Sequence, residues 1–386
     1  MYFIIIDEEH LLLRSIVVKK SSFGQEETMD GFPTHNRVAR QVAIPHQRIV
    51  DPAGWTTDEM DKLDNWTYKL SSVEVCEIMD AVASLRRLEV PIASISPDTF
   101  PLYKFAGGLR DIHLEIRDGR GAVRLRGLPI DELDYEGAMI AYLGLTSYIG
   151  SLEPQNKYGH LVGHVKDFTS HGTASEGRGY NTNVQSSLHI DSTDYVGLLC
   201  YNEPKSGGNS RISSSVSIYN LILAERPDLI EVLMGPYYKT RYGEQKPGEV
   251  AYYRFPVFAF VNGEFSCYGV SKNFLTADKI EGVPPYSDLQ REAVDVFVQA
   301  AEKCAIDMPF QRGDIQYCNN HVILHARRTF QDAPQEGYRR HMWRVWLNER
   351  EKPRHIHEDR KERRNRSEYL ADAPRNVPMD VAAPVL

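Results

Sequence analysis

The sequence predicts an α+β fold: one large domain built on a β-sandwich or barrel, with a few flanking helices. Three observations lead there. Between about residues 95 and 348, strand-like and helix-like stretches alternate without the regular rhythm of βαβ units. Strands dominate where the chemically interesting polar residues lie. No G-x-G-x-x-G follows a strand and no Walker A loop occurs, which removes support from the nucleotide-binding doubly wound sheets.

Along the chain, Ser71-Ser72-Val73-Glu74 reads as a capping box opening a helix through "VEVCEIMDAVASLRRL". "DIHLEIRDGRGAVRLRGLPI" reads as two strands joined through Asp118-Gly119 and Arg120-Gly121. "DELDYEGAMIAYLGLTSYIG" is a helix with Asp131 as its N-cap. "DYVGLLCYN" is a buried strand, and "SIYNLILAERPDLIEVLMG" is helical with an interruption near Pro227. "FPVFAFVNGEFSCYGV" is a hairpin, because Asn262-Gly263 suits the two positive φ values of a type I′ turn. "SDLQREAVDVFVQAAEKCA" is an amphipathic helix from Ser287, and "DIQYCNN" and "RRHMWRVWL" are the closing strands. This divides the chain into an N-terminal extension with a helix (1–90), a central domain (91–348) and a densely charged tail (349–386) read as a solvated helix or coil.

Composition bounds the function. The 386 residues suffice for a sizeable core, and 42% hydrophobic with 25% charged residues is ordinary for a globular protein. A net charge of −8 argues against a nucleic-acid surface, so an anionic substrate must be met by a local arginine cluster. Five dispersed cysteines with no C-x-x-C argue against a zinc ribbon or a disulfide framework and fit a reducing compartment. The apolar runs of "MYFIIIDEEHLLLRSIVVKK" are split by Asp7, Glu8 and Glu9, unlike a signal sequence. No run approaches the roughly 20 apolar residues of a membrane span. The expectation is a cytoplasmic enzyme, with no nucleic-acid or membrane partner and with homo-oligomerisation left open.

Three H-x-[DE] tripeptides occur, at 113–115, 189–191 and 357–359, against about two expected by chance, so the tripeptide alone decides nothing. His113 and Glu115 read as an exposed pair on a strand, and His357 lies in the charged tail without an apolar scaffold. His189 and Asp191 precede a buried strand, and residues two apart on a strand share a face. A third ligand can come from "GDIQYCNNHVILHARRTF", which offers His321 and His325. Two histidines and a carboxylate with open positions suit non-haem Fe(II), while Zn²⁺ accepts the same ligands. Arg340 and Arg344 are set among Met342, Trp343, Val345, Trp346 and Leu347, where an arginine needs an anionic partner.

These residues resemble the TauD/TfdA family of Fe(II)- and 2-oxoglutarate-dependent dioxygenases, including its clavaminate-synthase-like members. The resemblance runs from about Gly119 to Leu347, through "GAVRLRGLP", the H-x-D at 189–191, "SGGNSR", "RGDIQYCNNHVILHAR" and "RRHMWRVWL". It implies a double-stranded β-helix (jelly-roll) core, with Fe(II), 2-oxoglutarate as cosubstrate and O₂. It implies His189, Asp191 and His325 as iron ligands, with His321 a neighbour. It puts Arg340 and Ser210 at the distal carboxylate of 2-oxoglutarate, and Arg344 at the cosubstrate or an anionic group of the substrate. Trp343 departs from the aliphatic residue expected between the arginines.

The implied reaction removes a hydrogen atom from an unactivated C–H bond, giving hydroxylation or oxidative cyclisation of the aziridine type, with succinate and CO₂ released. Some fungal relatives in secondary metabolism oxidise free amino acids in this way. Arg344, with the amides of Asn181, Asn183 and Gln155, suits a small carboxylate or a free amino acid. Two other readings stand beside this one. A zinc-dependent hydrolase on the same ligands would need no Arg340 but would need a general base. A non-catalytic barrel binding protein would keep the pocket without the chemistry.

Overall fold

The computed structural model describes residues 39–60, 66–156, 158–168, 183–241, 245, 248–360 and 374–379. Its largest sheet has β1 (Thr67–Lys69) parallel to β2 (Ala122–Arg126) at one edge. β13 (Ile315–Asn319) lies antiparallel between β2 and β5 (Tyr195–Asn202), and β16 (His341–Asn348) lies antiparallel to β5. The far edge of β16 is shared by β4 (Val162–Lys166) along its first half and β3 (Ser151–Glu153) along its last. A second sheet has the order β12 (Ala305–Met308), β7 (Ser210–Ser214), β14 (Ile323–Arg327). The short pair β6 (Ser206–Gly207) and β15 (Phe330–Gln331) continues from β7 and β14. Two hairpins, β8–β9 (Pro236–Thr240, Tyr252–Pro256) and β10–β11 (Phe258–Val261, Glu264–Cys267), complete the strands among the described residues.

The alternation of β16 decides which layer each residue serves. Trp343, Val345 and Leu347 face a core shared with α2 (Ser72–Arg87), α3 (Ala106–Arg117) and α4 (Tyr135–Thr146). Trp346 faces the opposite way, into a core holding Ile212, Ile323 and Leu324 of the second sheet. The same inter-sheet core takes residues from α1 (Thr57–Met60), α5 (Ser215–Glu225), α6 (Asp228–Met234) and α7 (Asp288–Lys303). The large sheet is thus sandwiched between a helical layer and the smaller sheet, the jelly-roll arrangement expected of an α+β chain. Ala43, Ile49 and Trp55 join one core, and Ile78, Val82 and Leu85 the other, so described residues before 90 pack on both.

Most local expectations hold. Ser71 and Glu74 form the capping box of α2, and Ser287 with Gln290 forms that of α7. Pro227 separates α5 from α6, and the β10–β11 turn has φ of 50° at Asn262 and 77° at Gly263.

Three expectations are corrected. Residues 106–117 form α3 rather than a strand. Leu109, Ile112, His113 and Ile116 repeat at helical spacing and are buried, and the Ile112/Leu114/Ile116 alternation fits a strand only if the preceding turn is ignored. The cap of α4 is Asp134, whose carboxylate accepts from the Gly137 N–H at 2.8 Å, while Asp131 lies in the preceding 3₁₀ turn. Residues 349–360 are only partly solvated: Glu349, Ile356 and Arg360 are buried, residues 350–353, 355 and 358 are exposed, and residues 361–373 and 380–386 of the expected tail lie outside the described residues. Glu349 meets His113 at 2.7 Å and accepts from the Tyr195 hydroxyl, so His113 is buried in a hydrogen-bond network rather than exposed.

Candidate metal centre

The histidines are brought together by backbone pairing. His189 and His325 form an antiparallel bridge with reciprocal bonds, His189 N–H to His325 O at 3.0 Å and His325 N–H to His189 O at 2.8 Å. Directly opposed residues place their side chains on one face, and the two rings lie 4.5 Å apart. Asp191, two residues beyond His189, points the same way. One ligand atom from each of His189, Asp191 and His325 lies within 4.8 Å of the others. The rigidity comes from neighbours. Ser186 pairs with Arg327 through its backbone and hydroxyl, and the Asp191 N–H donates to Asn320 Oδ1 at 3.1 Å.

Electrostatics prepare the three groups for a cation. Burial lowers His189 and brings His325 down to about 3, so both rings are neutral at pH 7. Burial would raise Asp191, but Arg344, His325 and His189 outweigh it and hold the carboxylate ionised. His189 Nδ1 is engaged by the Ser187 carbonyl at 2.8 Å, which leaves Nε2 for a metal. His321 is excluded by geometry, because its Nε2 lies 2.9 Å from Asp194 Oδ1 in a separate buried pair.

The arginines differ from one another. Arg344 lies on the inner face of β16, with Nη1 3.4 Å from Asp191 and Nε donating to Gln155 Oε1 at 2.8 Å. Gln155 also donates to the carbonyls of Arg344 at 2.7 Å and Leu161 at 3.1 Å. Both ends of its amide are therefore spent within the protein, so it positions Arg344 instead of offering a free amide. Arg340 is 4% exposed, and its Nη1 has no hydrogen-bond partner among the described residues. Burial, with Arg327 next, pulls its guanidinium down to about 9. Its Cζ lies 5.3 Å from the Phe330 ring centre, and a Cβ on Gly208 would come within 3.1 Å of its Nε. Gly208, at φ 73°, therefore leaves the room that Arg340 occupies.

Ser210 is buried, and its hydroxyl donates to Gln316 Oε1 at 2.8 Å across the two sheets. Trp343 packs with Tyr135, Tyr142 and Tyr201 toward the helical layer, so the departure between the arginines faces away from the candidate metal centre. Asn183 is exposed, its carbonyl accepting from the Phe330 N–H, and Asn181 lies outside the described residues. Asn156 and His160 bond mainly to each other and to their own loop. Sequence reasoning missed Gln316 and the anchoring task of Gln155. A polar residue inside the otherwise apolar "DIQYC" was the available signal for Gln316.

Comparisons with known proteins agree with this geometry. The family model described as "Taurine catabolism dioxygenase TauD, TfdA family" matches residues 90–346, starting earlier than the motifs near Gly119. FR-33289 synthase of Streptomyces rubellomurinus is 26% identical, over 80% of this chain and 92% of that protein. A taurine hydroxylase-like protein, SAT17, of Stachybotrys chartarum is 28% identical, over 77% of this chain and 79% of its own length. An asparagine oxygenase crystallised with Fe(II), 3-hydroxyasparagine and succinate matches at a TM-score of 0.57 and 18% identity, covering 73% of this chain and 93% of its own. The non-haem iron oxygenase OrfP matches at 0.57 and 16%, covering 81% and 99%. No helix among the described residues is long and apolar enough to cross a membrane. Family membership favours the oxygenase over the zinc hydrolase and the binding protein. The chain belongs to the TauD/TfdA family of Fe(II)- and 2-oxoglutarate-dependent dioxygenases.

Proposed function

We propose that His189, Asp191 and His325 hold the iron, that Arg340 and Ser210 receive the distal carboxylate of 2-oxoglutarate, and that Arg344 receives the carboxylate of a small substrate such as a free amino acid. The observation that carries this reading is the buried guanidinium of Arg340, which lies over Phe330 of β15 with Nη1 open to a further acceptor. A buried cation without a partner calls for an anion, and a carboxylate matches its geometry.

Bound together, the metal and the keto acid supply the oxidant that removes a hydrogen atom from an unactivated C–H bond. The chain does the rest. His189 and His325 stay neutral and Asp191 ionised, so all three present lone pairs at neutral pH. Gln155 holds Arg344 against Asp191, fixing a positive charge beside the metal where a substrate carboxylate can dock. For hydroxylation the balance is substrate C–H, O₂ and 2-oxoglutarate in, and substrate C–OH, succinate and CO₂ out. Amino-acid substrates are supported by Arg344 and by the hydroxylated amino acids in the asparagine oxygenase and OrfP structures. The compartment we propose is the cytoplasm, from the dispersed free cysteines.

The test is anaerobic. Fe(II) followed by 2-oxoglutarate should produce a weak visible charge-transfer band in wild type and none in His189→Ala. A panel of free amino acids, scored for substrate-dependent succinate release, then identifies the substrate. A band unaffected by His189→Ala would refute the ligand assignment. Succinate release stimulated by none of the amino acids would refute the substrate class.

A further inference from the structure

We propose that Gln316 is an additional cosubstrate-binding residue, which presents its side-chain amide N–H to the distal carboxylate of 2-oxoglutarate beside Arg340 and Ser210. This deepens the function proposed above and rests on its assignment of those two residues.

Gln316 sits in the middle of β13, flanked by Leu198 of β5 and Arg124 of β2, and is 1% exposed. Its strand is otherwise built for packing. Ile315 and Tyr317 face the helical layer, and Cys318 faces the inter-sheet core. By alternation Gln316 shares the inner face with Cys318. There its Oε1 accepts the Ser210 hydroxyl, while Nε2 is buried with no hydrogen-bond partner among the described residues. Buried donors of this kind are paired in nearly all folded proteins, so one left open between the sheets beside the candidate metal centre points to an acceptor that a ligand brings.

The sheet register says where that acceptor lies. On β7, Ile212 is the cross-strand partner of His325 and Ser210 that of Arg327. Ser210, and the amide bonded to it, therefore stand two residue pairs beyond the metal-ligand layer, the next position on the same face. They lie toward Arg327, which Arg340 senses and with which it shares the Phe330 ring. A keto acid with one end on the metal would extend its other end into this layer. Arg327 is already committed, donating through Nη2 to the Val184 carbonyl at 2.5 Å. Arg340 Nη1 and Gln316 Nε2 are two buried open donors on the larger-sheet side, enough for both oxygens of one carboxylate, and Arg327 Nε is a third on the facing strand. The choice of an amide has a physical reason. It adds a hydrogen bond without adding a third positive charge beside two guanidiniums.

The experiment measures affinity rather than turnover. The anaerobic Fe(II) protein is titrated with 2-oxoglutarate and with pyruvate, which has the same keto acid head but no distal carboxylate, following the visible band. Gln316→Leu should weaken 2-oxoglutarate about tenfold, the effect of one hydrogen bond to a charged group. Gln316→Glu keeps the shape and opposes like charges, so it should weaken 2-oxoglutarate further. Neither should change pyruvate affinity. Equal losses for both keto acids would mean a structural role and overturn the proposal, as would wild-type 2-oxoglutarate affinity in both variants. Arg340→Gln separates the two levels of inference. If it loses the preference for 2-oxoglutarate over pyruvate while the Gln316 variants keep it, only the Gln316 assignment fails. If it too keeps that preference, the pocket assignment fails.

Discussion

Replacing Arg340 by methionine should stabilise the protein in the absence of metal and cosubstrate, yet strip it of 2-oxoglutarate binding. The guanidinium is buried and Nη1 has no partner. The nearby carboxylate of Asp332 accepts from the Arg340 backbone N–H at 2.8 Å rather than from its side chain. Burial and Arg327 lower the group to about 9, which puts the cost of holding its charge in the fold at roughly 5 kcal/mol. Relaxation and the lost contact with Phe330 take back part of this, so about 1–3 kcal/mol should be gained. Urea midpoints of the metal-free variant and wild type measure the gain. With iron and 2-oxoglutarate at about a thousand times its Kd the order should reverse, since ligand at that level adds about 4.1 kcal/mol to wild type alone. A variant no more stable than wild type without ligand, or one that binds 2-oxoglutarate equally well, would refute the reasoning.

Gln155→Leu should reduce kcat/KM about tenfold or more by releasing Arg344, while the anaerobic affinity for 2-oxoglutarate stays unchanged; a fall in both would mean the whole cavity is disturbed. Asp191→Ala should lose bound iron, measured by metal analysis, while circular dichroism shows the fold retained, because backbone bonds rather than the metal hold the His189–His325 bridge. Glu349→Ala should cost about 3–5 kcal/mol in urea denaturation, since His113 and Tyr195 lose a buried partner. Burial raises Glu349, but its hydrogen bonds from His113 and Tyr195 prevail and hold it below the usual carboxylate range. Its contribution is therefore present above the ordinary carboxylate value and lost as pH falls below it, so wild type should lose more stability than Glu349→Ala between pH 5 and pH 3.

What could be read from the sequence was whatever depends on near neighbours. His189 and Asp191 are two apart on extended chain, Asn262-Gly263 is a complete turn, and the caps at Ser71 and Ser287 are closed three residues later. The third ligand needed the family resemblance, because His321 and His325 are equally plausible until a distant strand pairs with one of them. The errors share a cause. α3 has an apolar stripe whose last five residues also alternate, so only its burial against β2 and β13 decides the period. Glu349 looked solvated because its partner His113 is 236 residues away. Gln155 looked like a free amide because the arginine that consumes it is 189 residues away.

The division of labour between the sheets follows from the same geometry. The smaller sheet and its bridge carry His189, His325 and Ser210, while β13 and β16 of the larger sheet carry Gln316 and Arg344, with Arg340 one residue before β16. The proposed metal ligands and most of the proposed cosubstrate donors thus ride on opposite walls, and facing sheets stand about 10 Å apart. That gap must be held to a fraction of an ångström if one small diacid is to reach both. The Ser210–Gln316 hydrogen bond spans it directly, and the Arg344–Asp191 contact closes it nearer the metal. Both ties are polar and lie between the sheets, so changes to the proposed ligand-binding groups also change the spacing of the walls. For this reason keto acids of different length separate binding from architecture in this protein more cleanly than activity can.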